Sequence, residues 1–250
     1  MNFRAKSATV QAIIIVLFLL VWQLLRSWNV VNHLFLAAPS EILTHSAFAA
    51  FPGYLQYFGI TVNEILIAFA IAAAIGIIGG FLLARSNYVY KVLEPFVVWG
   101  YSLPKIALFP VFLKLFGLGT TTVIVYGAIT GLFVILINTV TGVREVDAHL
   151  LTVSTSLGLR RANRYTKVIF PSVVPAIFSG LRQAVIQVVL GVLVAELVLN
   201  TIGIGDLIDT LSYSFNVVGL YLVVATVAVV MIFVNLFLLS LESRLNFWRR

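Results

Sequence analysis

Residues Glu145 to Arg182 read EVDAHLLTVSTSLGLRRANRYTKVIFPSVVPAIFSGLR. They form a long run that no bilayer core accepts, set within an otherwise very apolar chain. On either side lie uncharged stretches, Ile65–Ala84, Leu115–Val143 and Thr210–Leu241. At its start and within it, Arg144, Arg160, Arg161, Arg164 and Lys167 gather beside Gly158, Pro171 and Pro175. A membrane chain that leaves the bilayer for a long, basic, helix-compatible excursion exposes a surface with which it meets something.

Composition fixes the class. Hydrophobic residues make up 61% and charged residues 10%, with mean hydropathy +1.09, values outside the range of soluble globular domains. A spanning helix needs about 20 mostly apolar residues, so 250 residues suit six spans in one membrane domain covering the whole chain, 1–250. The expected fold is an all-α integral membrane protein. No cysteine is present, which excludes disulfide and thiol chemistry. The net charge of +7 reads as topology signals and contacts with lipid headgroups. No nucleic-acid partner is expected.

Hydropathy places the spans at about 8–26, 62–84, 96–115, 121–143, 174–199 and 217–241, with a loop at 144–171. The first run follows Arg4 and Lys6, but it exceeds a signal-peptide core and lacks a small-residue cleavage site, so it is read as a retained span. With the N-terminus inside, twelve basic residues fall on the cytoplasmic side. They are Arg4, Lys6, Arg85, Lys91, the five around 144–167, Arg244, Arg249 and Arg250. Arg26 and Lys114 fall outside, while Lys105 and Arg182 have ambiguous depth. The positive-inside rule therefore puts both termini and the 144–171 loop in the cytoplasm. Ala68, Ala72, Gly76, Gly80 and Ala84 recur every four residues on the second span, and Gly127 and Gly131 on the fourth. Such small-residue faces predict close helix packing, within one subunit or, alternatively, between two.

Enzyme chemistry finds little support. There is no Gly-x4-Gly-Lys-Ser/Thr phosphate loop. His33, His45 and His149 are scattered, and Glu145, Asp147 and His149 alternate at a helix exit, where a solvated segment is the better reading than a metal site. No catalytic residue and no metal site are assigned. The intramembrane charges are the remaining candidates. Pro104 and Pro110 bracket Lys105 and predict a broken third span, whose freed backbone is suited to lining a route for solute. Lys105 and Arg182 also fit snorkelling to the headgroups. Glu196, near the outer end of the fifth span, must face a cavity, a partner or the interface, with a structural hydrogen bond as the plainer reading. It lies fourteen residues beyond Arg182, too far along one helix for a direct pair. Pro104, Lys105 and Glu196 are the candidate pathway residues.

Within the long loop, Thr152-Val153-Ser154, three residues, Gly158, nine residues and Val168-Ile169-Phe170-Pro171 follow one another. This resembles the signature of ATP-binding-cassette (ABC) importer permeases: Glu-Ala-Ala, three residues, Gly, nine residues, Ile-x-Leu-Pro. Gly158 and Pro171 match by identity, whereas Thr-Val-Ser replaces Glu-Ala-Ala. Ala38-Pro39-Ser40-Glu41, Leu103 to Pro110 (LPKIALFP), Phe116-Gly117-Leu118-Gly119, Ser179-Gly180-Leu181-Arg182 and Ala195-Glu196 are similar to the nitrate/sulfonate/taurine-type branch. The resemblance spans about residues 38–245. It implies a six-span, type I importer-like permease whose cytoplasmic coupling helix lies between spans four and five. Its coupling residues would be Thr152, Val153, Ser154, Leu157, Gly158, Arg160, Arg161 and Pro171. It further implies two separate ATPase subunits that bind ATP and magnesium, a second permease copy, an external substrate-binding protein and residence in a bacterial inner membrane. This chain would itself hold no cofactor. A secondary transporter, or a membrane scaffold without an ATPase, is the rival reading; the transporter would need further mid-membrane carboxylates.

Overall fold

A computed structural model describes residues 3–44 and 53–245, and among these every regular element is a helix. The helices are α1 (Phe3–Ser27), α2 (Pro39–Thr44), α3 (Tyr54–Ala84), α4 (Asn87–Ser102), α5 (Lys105–Phe116), α6 (Thr120–Arg144), α7 (Ala148–Ser156) and α8 (Arg161–Arg164). A π-helical turn (Tyr165–Ile169) then leads into α9 (Phe170–Leu199), followed by α10 (Ile204–Tyr213) and α11 (Val217–Leu245). His45, Arg249 and Arg250 lie outside the described residues.

Five helical stretches among the described residues are long and apolar enough to cross a membrane. These are Thr9–Ser27, Tyr54–Ala84, Thr120–Arg144, Ala162–Leu199 and Val217–Arg244. The single third span expected at 96–115 is replaced by α4 and α5, which meet at 94° and together make a sixth crossing if counted as one. The cause is Pro104. It has no N–H to donate and its ring drives Leu103 out of the helical region, to φ −59° and ψ 133°. The second span also begins earlier than expected, at Tyr54.

The core is a stack of three helices with α6 between α3 and α9. The buried face of α3 carries Ala68, Ala72, Gly76 and Gly80, the four-residue stripe seen in the sequence. It packs within the chain against α6. A Cβ at Gly76 would stand 2.8 Å from Ile135 Cβ, and one at Gly80 2.6 Å from Thr139 Cβ. The other side of α6 meets α9 in the same way, with Gly127 against Val192 and Gly131 against Val188. Lipid supplies no hydrophobic force between helices, so stability comes from this close approach and its dispersion contacts. Val123, Ile135, Ala184, Val188 and Val192 are fully enclosed where the three helices meet.

Polar contacts fasten the periphery. Trp22 Nε1 donates to the Ala37 carbonyl (2.9 Å), and Arg26 reaches Glu41 (3.4 Å), whose other oxygen accepts from the Ala38 amide. Arg182 pairs with Glu242 at 3.4 Å and ties α9 to α11. That pairing answers the ambiguity over Arg182. Its charge is met by a carboxylate sixty residues away in sequence, so snorkelling alone does not account for it. Arg144 lies 3.9 Å from the Tyr90 ring centroid and donates to Asn87 Oδ1.

Candidate coupling helix and transport groove

The excursion from 144 to 171 folds into a compact knob. Asp147 caps α7, its carboxylate accepting from the His149 amide at 2.8 Å. The hydroxyls of Thr152, Thr155 and Ser156 turn back onto carbonyls four residues earlier. That explains how a segment this rich in Ser and Thr stays helical. The helix ends in a Schellman turn. The Leu159 amide donates to the Ser154 carbonyl and the Gly158 amide to the Thr155 carbonyl. Gly158 sits at φ +69°, and no atom stands within 4 Å of where its Cβ would be. It is required there by backbone conformation, not by crowding.

The turn sets out the side chains expected to couple. Leu157 is 74% exposed and Val153 41%, while Ser154 is 2% exposed and turned inward with its hydroxyl on the Leu151 carbonyl. Thr152 and Arg160 are exposed, and Arg161 is described by its backbone alone, at the start of α8. Pro171 follows Phe170 in the first turn of α9. Because Pro171 cannot donate, the ladder stretches into the π-helical turn before it. There the Phe170 amide reaches back to the Tyr165 carbonyl, and the Ser172 hydroxyl takes up the Val168 carbonyl. Leu157 and Val153 thus leave an exposed apolar surface at the end of α7, with Arg160 just beyond the turn.

On a side of the stack, a groove of about 230 Å³ is bordered by Lys105, Ile106, Tyr126, Thr130, Gln187 and Leu190. Pro104 sits at the break that turns α5 so that Lys105, its first residue, reaches this groove. Lys105 Nζ donates to the Tyr101 carbonyl at 3.0 Å and lies 5.4 Å from that ring's centroid. A lysine ammonium has three donors, so two remain for an anion.

Glu196 lies elsewhere. It is wholly enclosed, and its oxygens accept from the Thr61 hydroxyl and the Gly205 amide, both at 2.7 Å. Its carboxyl also faces that of Glu64 on α3, which is 1% exposed. The structure therefore separates Glu196 from the Lys105 groove. Glu64 is not among the charges the sequence singles out, because it stands at the edge of the uncharged run that begins at Ile65. The available signal was Thr61 and Glu64, three residues apart on one face of a span. On α10, beyond the end of α9, burial and secondarily the Asp209 carboxylate raise the Asp206 carboxyl above its ordinary value.

The model of the family described as binding-protein-dependent transport system inner membrane component matches residues 72–249. The chain is 28% identical over 246 residues to the nitrate import permease protein NrtB of Synechocystis sp., covering 93% of this chain and 87% of that protein. It is also 28% identical over 230 residues to the putative aliphatic sulfonates transport permease protein SsuC of Bacillus subtilis, covering 92% and 83%. Among solved structures, an inward-facing MetNI methionine ABC transporter superposes with TM-score 0.68 at 16% identity. That match covers 76% of this chain and 95% of the other, and it shows a shared fold.

Proposed function

This chain belongs to the family of binding-protein-dependent transport system inner membrane components, and from that premise we propose that it moves a small oxyanion into the cytoplasm in an ATP-driven importer. Nitrate and organic sulfonates, carried by the two relatives named above, define the substrate class. The knob formed by α7 and Gly158 carries the reading. It presents Val153, Leu157 and Arg160 outward from a helix and its closing turn, and the helix's hydroxyls are satisfied locally, so it can dock without unfolding. It is continuous with α9 through the π-helical turn, so a rigid-body push on the knob reaches the core stack.

The knob seats on a separate ATPase subunit, which binds ATP and magnesium. Two ATPase subunits and two permease copies make the working unit, because one chain presents the Lys105 groove as an open wall and a second copy closes it. An external binding protein delivers the solute. Both termini and the 144–171 loop face the cytoplasm of a bacterial cell, and α10 faces outward.

Orientation has a direct check in this cysteine-free chain. A cysteine placed at Arg161 should react only with reagent that reaches the cytoplasm, and one at Asp206 only with external reagent. External labelling at 161 would reverse the topology and remove the coupling role together.

The groove is tested at Lys105. A cation there opposes the cost of bringing an anion into the membrane, by roughly 4 kcal/mol for a unit pair at 4 Å and effective ε near 20. Lys105→Met should lower uptake at least about tenfold, while the complex assembles and its ATPase still responds to loaded binding protein. Unchanged uptake kinetics would reduce Lys105 to an interfacial lysine.

A further inference from the structure

The outer ends of α3 and α9 carry a polar cluster that neither coupling nor the groove uses. Thr61 sits at its centre. Its hydroxyl donates to Glu196 Oε1 (2.7 Å), and its oxygen accepts the Ile204 amide of α10 (2.8 Å). Glu196 Oε2 accepts the next amide in sequence, that of Gly205, at 2.7 Å, which is free to donate because no α-helical partner exists for N–H groups in a first turn. The fit leaves no slack. A Cβ at Gly203 would stand 2.3 Å from Glu196 Cδ, and one at Gly205 2.6 Å from both Glu196 Cβ and the Leu193 carbonyl. Behind Glu196 lies Glu64, also fully enclosed, with the Thr120 hydroxyl alongside. Among the described residues, Glu64 Oε2 is buried and meets no ordinary hydrogen-bond donor. Two carboxyl groups that face one another away from water repel unless a proton or a cation lies between them.

We propose that Glu64 and Glu196 share one proton, and that this pair, working through Thr61, is a clasp that positions the outer helix α10 on the ends of α3 and α9. Glu64 and Glu196 are positioning residues on this reading. The proton keeps the pair from carrying two charges, and the remaining charge stands at the N-terminus of α10, where helix amides favour it. Thr61 links the two because it bonds to both Glu196 and the α10 backbone. The consequence for uptake rests on the importer reading above, whereas the clasp itself does not.

Three measurements on the purified full chain in its complex test this. Infrared difference spectra should show the carbonyl stretch of a buried protonated carboxyl, absent from Glu64→Gln. Amide exchange across 203–209 should stay slow in Glu64→Gln, because the amide group supplies permanently the donor that the proton supplied. In Glu64→Leu and in Thr61→Val it should quicken at least about tenfold. Uptake should follow the same order, kept in Glu64→Gln and lost in Glu64→Leu. If Glu64→Leu does not fold, Thr61→Val and the infrared band decide. An unaltered carboxyl band in Glu64→Gln, or fast exchange in that variant as a metal cation between two carboxylates would give, overturns the shared proton. Slow exchange in Thr61→Val overturns the clasp. If the unaltered complex shows no ATP-driven uptake, the importer reading fails while spectra and exchange still decide the clasp.

Discussion

Gly158→Val is expected to lower coupled transport about tenfold or more while leaving the chain inserted and folded. Gly158 holds φ +69° at the end of α7, and its Cβ position is open on all sides. The added side chain therefore meets no wall, and its whole effect falls on the backbone. A β-branched residue in the left-handed region costs about 1–2 kcal/mol, enough to shift the turn about five- to thirtyfold toward other conformations. Leu157 and Arg160, which flank the turn, lose their fixed relation to α7. The measurement is uptake together with recovery of the ATPase in the purified complex. Uptake should fall about tenfold or more, with the ATPase either released or hydrolysing ATP without transport. Normal uptake with normal recovery would remove the knob from the coupling path.

Gly131→Leu has the second large effect, and it acts on the fold. A Cβ at Gly131 would lie 2.5 Å from Val188 Cγ2 and 3.2 Å from the Ala184 carbonyl oxygen. A side chain can turn aside, but the α9 backbone cannot without lifting the whole helix from α6. Ordinary overpacking costs about 1–3 kcal/mol. Here the cost exceeds that range, because the close approach of α6 and α9 supplies much of the packing in the core. The variant should fail to give a monodisperse peak in detergent and should be degraded in cells. Gly59→Leu is the control, since nothing stands within 4 Å of a Cβ there. Equal yields for the two variants would contradict the packing assigned to this face.

Much of the architecture was readable because the membrane restricts the choices. Apolar runs long enough to span gave the helices at Thr9–Ser27, Thr120–Arg144 and Val217–Arg244 within a few residues. The stripe from Ala68 to Gly80 announced its face through spacing, although spacing alone could not say whether the facing helix belonged to the same chain. The structure places α6 there. Gly158 and Pro171 were legible for conformational reasons, one as a positive-φ turn and the other as a residue tolerated in a helix's first turn.

Other features depend on contacts distant in sequence, which local pattern does not encode. Pro104 and Pro110 signalled irregularity, but their spacing does not encode the size of the bend at Pro104, 94° between α4 and α5. Arg182 finds Glu242 across sixty residues. Glu196 looked like a candidate for the solute route because a carboxylate in a span has to face something polar. What it faces is Thr61, Glu64 and the amide of Gly205. The groove and the clasp are thus two separate polar sites, and only Lys105 of the candidate charges borders the first.

Reconstitution tests the importer assignment most directly. The chain is placed in liposomes with its cognate ATPase, loaded binding protein is supplied on the external face, and accumulation of a labelled oxyanion is followed with ATP or a non-hydrolysable analogue on the ATPase side. Accumulation that requires hydrolysable ATP, the ATPase subunit and the binding protein together is the predicted result. Accumulation driven by an ion gradient with no ATPase present would contradict it.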